Sequence, residues 1–235
     1  FWELFVRVFD VRRYVLLAPS KILAQLFEAP GFYWDNTLIT AGHMLLGLSI
    51  SMVLALIVGA ALASSRFAEE AAQPILVLIL VTPWVAYFGS VKVWLGLGVS
   101  PIIFLAAFTA FPVLTFGVIG GMRAADPAAR ELLASVNARP WEVLWFLRLP
   151  AALPSIFTTA RFAIGMALAA TYYSESRTLR TTGLGAIGSR AELRPLTAAE
   201  VVWTTVFCTA ALGIIGLVAI SLAERVVLKW HASQR

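Results

Sequence analysis

TLITAGHMLLGLSISMVLALIVGAALA, residues 37–63, contains no Asp, Glu, Lys or Arg. As an α-helix it would be about 40 Å long at 1.5 Å per residue, which exceeds the roughly 30 Å hydrocarbon core of a bilayer. Four further apolar stretches are long enough to span, at about 74–97, 101–122, 153–173 and 201–223. The sequence therefore predicts an all-α, polytopic membrane protein with five spans. The apolar start at Phe1 is interpreted as the end of a truncated, earlier span.

Composition agrees with a bilayer as the solvent of this chain. Of its 235 residues, 60% are hydrophobic, against about 45–50% in soluble domains. Only 13% are charged, and the mean hydropathy is +0.85. These values exclude a disordered chain and a water-soluble globule. The net charge of +5 is assigned to basic residues that flank the spans, so no nucleic-acid partner is expected. We expect one transmembrane domain over 1–235, with an insert at about 123–152 that carries four arginines and three acids.

The insert, DPAARELLASVNARPWEVLWFLRLP at 126–150, predicts two short helices. Asp126 and Pro127 are typical of a helix start. Asn137 predicts the stop, because Asn tolerates the left-handed conformation that ends helices. A second helix is predicted from Pro140 and is expected to end at Leu149-Pro150. Apolar residues recur at helical spacing before the stop: Leu132, Leu133 and Val136. An insert this apolar indicates a protein partner, although an interfacial amphipathic helix is the alternative.

The same insert resembles the coupling motif of permease subunits of bacterial ATP-binding-cassette importers. That motif has Glu-Ala-Ala, three residues, Gly, nine residues and Ile-x-Leu-Pro. In this chain the same spacing links Glu131-Leu132-Leu133, Asn137 and LRLP at 147–150. The departures are Leu-Leu for Ala-Ala, Asn for Gly and Leu for Ile. The Asn is a mild change, since Asn is the best substitute for Gly in a left-handed position.

Longer segments are similar to the nitrate/sulfonate/taurine branch of these permeases. They are NTLITAGHMLLGLSISMVLALIVGAAL at 36–62, TPWVAYFGSVKVWLGLG at 82–98 and LPAALPSIFTTARFAIGMALAATYYSE at 149–175. In the second of these, Trp84 and Gly89 stand where the branch often has proline, and Lys92 stands where it has an apolar residue.

The resemblance implies a type I importer permease fold in the bacterial inner membrane. It implies that the insert docks on a cytoplasmic ATP-binding subunit through Arg130, Glu131, Leu132, Leu133, Ala134, Asn137, Pro140, Trp141, Leu149 and Pro150. The implied partners are two such subunits, which bind ATP and magnesium, a second permease copy in a homodimer, and an extracytoplasmic solute-binding protein. The implied substrates are sulfonates, nitrate, taurine or vitamin precursors.

No catalytic constellation or metal site is evident in the sequence. No G-x-x-x-x-G-K-[ST] occurs, so ATP binding by this chain is not expected, and no other cofactor is expected on it. The G-x-G-x-x-G at 183–188 is expected to be a flexible outer turn, since no strand precedes it. Cys208 is the only cysteine. Of two histidines, His231 lies in the tail, and His43 is interpreted as a packing or helix–helix hydrogen-bonding residue.

Candidates for the translocation path are few. Lys92 either attracts an anionic substrate or reaches the outer interface as an anchor. The aromatic candidates, which are also typical of an interfacial belt, are Trp84, Tyr87, Tyr172 and Tyr173. Glu175 is expected just past the end of its span. An ion-coupled secondary transporter is the alternative function, but it would normally need an acid deep in a span, and we expect none there.

Overall fold

The computed structural model describes residues 1–229, and His231 and Arg235 lie outside the described residues. Within residues 1–229 every regular element is a helix, which confirms the all-α prediction. In chain order the helices are α1 (Trp2–Val8), α2 (Pro19–Glu28), α3 (Pro30–Ala63), α4 (Arg66–Val81), α5 (Trp84–Leu95), α6 (Ser100–Arg123), α7 (Pro127–Ser135), α8 (Pro140–Val143), α9 (Leu149–Ser176), α10 (Leu184–Glu192) and α11 (Ala199–Val227).

Four helices in the described chain are long and apolar enough to cross a membrane: α3, α6, the continuous helix Pro140–Ser176 and α11. The pair α4 and α5 passes the same test as one broken span, which gives up to five. The predicted span at 74–97 is therefore two helices. Thr82 between them is extended, with φ −73° and ψ 128°. Pro83 explains the break, because proline disfavours the helical conformation in the residue before it.

The predicted helix end at Leu149-Pro150 is wrong. A π-turn, Leu144–Arg148, joins α8 to α9, so that the helix runs on through Pro150 and Pro154. A proline inside a regular helix removes a backbone hydrogen bond and clashes with the carbonyl four residues before it. A π-turn widens the helix by one residue per hydrogen bond, and here it ends at Arg148, two residues before Pro150, with the Leu149 N–H bonded to the Leu144 carbonyl.

The chain divides into two compact units, and four long helices (α3, α6, α9 and α11) contribute to both, while α5 contributes only Trp84 to the second. The first unit comprises Phe1–Leu46, Val85–Ala106 and Leu168–Ile215. Its buried cluster joins Tyr33 of α3, Leu184 and Ile187 of α10 and Cys208 of α11, with Tyr172 packed against it.

The second unit comprises Gly47–Trp84, Ala107–Ala167 and the described residues from Gly216 onward. Its buried cluster joins Val118 and Met122 of α6 to Ala152 and Ile156 of α9. The two helices approach closely at Gly121, where an added Cβ would lie 2.7 Å from the Ala152 Cα. Small residues at such crossings are typical of helix packing in membranes.

The short N-terminal helices are joined by a carboxylate. Glu3 of α1 accepts hydrogen bonds from the Ser20 N–H at 3.0 Å and the Ser20 hydroxyl at 2.7 Å. These bonds, the backbone bond first, together with Arg7, lower the pKa of Glu3 from 4.5 to about 2. The charged form of Glu3 therefore holds α1 to α2 throughout the physiological pH range.

Candidate functional site

The first helix of the insert, α7, is capped at both ends by local sequence. Asp126 accepts a hydrogen bond from the N–H two residues on, at 3.0 Å, and Pro127 begins the helix. At the other end Asn137 has φ +53°, which confirms the predicted left-handed stop. The Ala138 N–H donates to the Leu133 carbonyl at 2.9 Å, as in a Schellman motif. The position and length of α7 are thus set by Asp126 and Pro127 at its start and by Asn137, a residue of the motif, at its end.

Although α7 is amphipathic in sequence, none of its residues is buried. Leu132 and, at the end of the helix, Val136 are each 67% exposed and lie four positions apart on one face. Glu131 is also exposed, and within residues 1–229 it forms no ion pair. Exposed apolar residues beside an unpaired charge are typical of a surface that binds a protein partner.

The second part of the insert also combines a capped helix with exposed aromatic rings. The Arg139 N–H donates to Glu142 Oε2 at 2.6 Å and caps α8. The rings of Trp141 and Phe146 contact each other with centroids 6.5 Å apart, and both are exposed. Of the ten predicted coupling residues, Leu133, Leu149 and Pro150 are half-buried, and the other seven are exposed: Arg130, Glu131, Leu132, Ala134, Asn137, Pro140 and Trp141.

Two of the predicted path residues, Lys92 and Tyr173, share neighbours. Lys92 Nζ donates to the Arg177 carbonyl at 3.5 Å and lies 4.9 Å from the centroid of the Phe88 ring. The Phe88 ring meets Tyr173 edge-on at 5.9 Å, and the Arg177 guanidinium lies 5.4 Å from the Tyr173 centroid. The Lys92 ammonium is therefore beside the C-terminal end of α9, a position that favours a cation.

Tyr172 has a different environment from Tyr173. Tyr172, one residue from Tyr173, is turned towards α10 and packs against Leu184 and Ile187. Tyr87 and Trp84 are both half-buried, and Trp84 belongs to the second unit. Trp84 is therefore assigned to a different unit from Lys92 and Tyr173.

Glu175, which was expected just past the end of its span, is a buried carboxylate that accepts three hydrogen bonds within the first unit. Glu175 lies in the last turn of α9, not past it, and its side chain has no exposed surface. It accepts hydrogen bonds from Thr40 Oγ1 at 2.8 Å, His43 Nδ1 at 2.8 Å and the Gly185 N–H at 3.1 Å. A buried carboxylate needs such partners, because its desolvation is costly. The helix–helix hydrogen bond predicted for His43 is confirmed.

The same cluster supplies the N-terminal cap of α10. The backbone N–H groups at positions 183–185 donate, in chain order, to Asn36 Oδ1 at 2.7 Å, Thr40 Oγ1 at 2.8 Å and Glu175 Oε2 at 3.1 Å. The first N–H groups of a helix have no partner within it. Gly183 at the cap position has no side chain to offer, so α3 and α9 provide the acceptors. The cluster therefore fixes where α10 begins.

The prediction of a flexible turn at the G-x-G-x-x-G, residues 183–188, is wrong, because these residues form the start of a buried helix. Gly183 has φ +102°, and a Cβ there would lie 2.6 Å from Glu175 Oε2. A Cβ on Gly185 would overlap the Tyr172 carbonyl oxygen. The glycines are needed here for close packing of α10 on α9.

A sequence signal for this cluster does exist. Asn36, Thr40 and His43 occupy positions i, i+4 and i+7 of an otherwise apolar helix, so that their side chains share one face. That polar stripe predicts a polar partner inside the membrane protein. The partner itself, Glu175, could not be identified without knowing how far α9 extends. Within residues 1–229 no three His, Cys, Asp or Glu side chains are grouped to hold a metal ion.

Comparison with known proteins agrees with the architecture. Residues 37–230 match the family described as the binding-protein-dependent transport system inner membrane component. The riboflavin transport system permease protein of Chloroflexus aurantiacus is 26% identical, over 99% of this chain and 87% of the relative. The formylaminopyrimidine transport permease protein of Halalkalibacterium halodurans is 24% identical, over 99% and 92%. The taurine transport system permease protein of Escherichia coli is 24% identical, over 91% and 79%.

These relatives match nearly the whole chain, and the family match covers all of the helices that could span a membrane except the first turns of α3. The chain therefore belongs to the binding-protein-dependent transport system inner membrane components, and it is a multi-pass permease subunit of the plasma membrane.

Proposed function

We propose that two copies of this chain form the translocation path of an ATP-driven importer for a small solute. Two cytoplasmic subunits bind ATP with magnesium and act on the insert at 126–150, while an extracytoplasmic solute-binding protein delivers the substrate. This chain carries no cofactor in the proposal. Family membership supports the transport role and the existence of a binding-protein partner, and it favours an ATP-driven importer over an ion-coupled secondary transporter.

The exposed face of α7 carries the coupling part of the proposal. Leu132 and Val136 present apolar surface to solvent, and Glu131 lies beside them without a cation partner in the described chain. Both ends of the helix are capped by hydrogen bonds, which favours a well-defined helix. A well-defined, exposed helix can transmit a rigid-body movement of an ATP-binding subunit to the membrane helices, as alternating access requires.

Co-purification tests this proposal. The tagged chain is extracted in detergent from its native membrane, and the partners are identified by mass. We expect a P-loop ATPase and a second copy of the permease. A chain that is recovered alone under conditions that preserve other membrane complexes would contradict the proposal and favour the ion-coupled transporter.

The left-handed stop at Asn137 gives a test of the geometry of the insert. We expect Asn137→Gly to keep normal uptake, because Gly adopts φ +53° without strain. Asn137→Val should destabilise the end of α7 by about 1–2 kcal/mol or more and lower uptake, because a β-branched residue is strained there. Uptake by the complete importer is the measurement, and equal activity of the two variants would contradict the need for this stop.

For the substrate, we propose a small solute of the sulfonate, nitrate, taurine or vitamin-precursor type. The names of the relatives, which include riboflavin, formylaminopyrimidine and taurine permeases, support this range. Lys92 supports an anion within it, since the residue is half-buried and its ammonium contacts a carbonyl and a ring, with no carboxylate partner among residues 1–229.

Lys92→Met tests the charge of the substrate. If Lys92 attracts an anion, the variant should transport an alkyl sulfonate up to about fivefold more slowly, the equivalent of about 1 kcal/mol, and should leave transport of an uncharged formylaminopyrimidine unchanged. Lys21→Met, which removes an exposed lysine in α2, is the control. Unchanged sulfonate transport would assign Lys92 to anchoring the end of α9.

A further inference from the structure

Four arginines converge on one cavity of the second unit. The cavity has a volume of about 320 Å³ and lies where α3 and α6 end and the insert begins. Its basic residues are Arg66, Arg123, Arg130 and Arg148. The rest of its wall includes Ala63, Met122 and Leu147. No carboxylate of the described residues lines it, so the site is cationic with apolar flanks.

The positive charge of this cavity is only partly compensated. Arg123 pairs with Glu69 of α4. Arg148 donates one guanidinium N–H to the Ala63 carbonyl at the end of α3, at 3.4 Å, and its other donors are not used by described residues. Arg66 and Arg130 form no ion pair within residues 1–229. Four guanidinium groups with one carboxylate among them repel one another, and a bound anion would relieve that repulsion.

The position of the cavity indicates which kind of anion would bind in it. Two apolar spanning helices, α3 and α6, end at Ala63 and Arg123, and these two residues line the cavity. The ends of spanning helices lie at the level of the lipid headgroups. Basic pockets between membrane helices at this level bind headgroup phosphates. Guanidinium groups suit phosphate because their planar N–H donors match its oxygens two at a time.

We propose that this cavity binds the phosphate group of an anionic phospholipid, with the headgroup between the four arginines and the acyl chains along the apolar helices. The volume is at the lower end of small-molecule sites, about 300–1,000 Å³, which suits a headgroup phosphate with its glycerol. Lipid bound here would contact Arg130, on α7, and Arg66, at the start of α4. It would therefore tie the insert to the neighbouring membrane helices, whichever protein docks on the exposed face of α7.

The test is lipid binding to the purified chain in detergent, measured by native mass spectrometry. The probes are phosphatidylglycerol and phosphatidylcholine with the same acyl chains. We expect one tight site for phosphatidylglycerol and weak binding of phosphatidylcholine. The double variant Arg66→Gln/Arg148→Gln should bind phosphatidylglycerol about 30-fold more weakly, at roughly fivefold per arginine.

The matched control is Arg225→Gln/Lys229→Gln, which removes the same charge from the end of α11, outside the cavity. We expect it to change binding less than twofold. Arg66→Gln alone, at an exposed residue with no ion pair in the described chain, should weaken binding about fivefold and serves if the double variant does not fold. If the control weakened phosphatidylglycerol binding as much as the double variant, the proposal would be overturned. The lipid would then be attracted by the positive charge of the whole surface and not by this cavity.

A separate arm distinguishes the source of the phosphate. Inorganic phosphate at millimolar concentration should displace little phosphatidylglycerol if the acyl chains contribute to binding. Complete displacement would overturn the lipid assignment in favour of a soluble phosphate ligand. Loss of ATPase co-purification in Arg66→Gln with unchanged lipid binding would likewise overturn it, and would assign the cavity to a protein contact.

Discussion

Glu131→Arg is expected to abolish solute uptake while the chain still folds and inserts normally. Glu131 is exposed on α7 and forms no ion pair within the described chain, so the folded subunit does not depend on its charge. Where a carboxylate faces a cation across a docked interface, replacing it by arginine places two positive charges in contact, and they repel each other. Losing one partner of a desolvated charge pair costs about 2–5 kcal/mol, which weakens docking by roughly 30-fold to several thousand-fold.

The measurement is uptake by the complete importer together with co-purification of the ATP-binding subunit. Glu70→Arg, which makes the same charge change at an exposed position of α4 outside the insert, is the control and should keep both. Glu131→Gln should fall between the wild type and Glu131→Arg, because it removes the attraction without adding repulsion. Normal uptake by Glu131→Arg would contradict the coupling role assigned to α7.

The spans could be predicted because each depends on a local property. An uncharged run such as 37–63 forms a helix in lipid, because a helix satisfies all of its backbone hydrogen bonds within the segment. The helix stop at Asn137 follows from the backbone preference of one residue. Proline was a less reliable guide. Pro83 lies in the break between α4 and α5, whereas the helix runs on through Pro150, which comes after a π-turn. Local sequence does not reveal which of these two responses a proline will produce.

Local sequence patterns did not predict which distant residues contact one another in the folded chain. The G-x-G-x-x-G was interpreted as an outer turn, because nothing near it in sequence suggests burial. Its glycines are required by Glu175 and Tyr172, which approach from α9. Likewise, the four arginines of the basic cavity are spread from 66 to 148 and meet only in the folded chain. Sequence spacing predicts which residues share a helix face, but not which faces meet.

Glu175→Leu is expected to give the largest loss of stability among single substitutions in the first unit. It leaves the Thr40 hydroxyl, the His43 ring and the Gly185 N–H without their acceptor in a buried site. Each unpaired buried donor costs about 1–3 kcal/mol, so we expect a loss of about 3 kcal/mol or more. That corresponds to a fall in Tm of roughly 6–12 °C or more for a chain of this length.

Glu175→Gln separates the hydrogen bonds from the charge. Its amide oxygen can keep the two donors that meet Oε2, Thr40 and Gly185, so it should lose less than half as much stability as Glu175→Leu. The readouts are thermal unfolding in detergent and limited trypsin cleavage at Arg177 and Arg180, which lie between α9 and α10. Faster cleavage of Glu175→Leu is expected, since the start of α10 is no longer held.

Thr40→Val extends the test to the residue that both donates to Glu175 and accepts from the N–H of Leu184. Its effect and that of Glu175→Leu should not add in the double variant, because residues of one hydrogen-bond network are coupled. Thr209→Val is the matched control, since the Thr209 hydroxyl donates only within its own helix, to the Thr205 carbonyl at 2.7 Å. Additive losses for Thr40→Val and Glu175→Leu, or a loss for Thr209→Val as large as that for Thr40→Val, would show that this buried cluster does not act as one unit in holding α10.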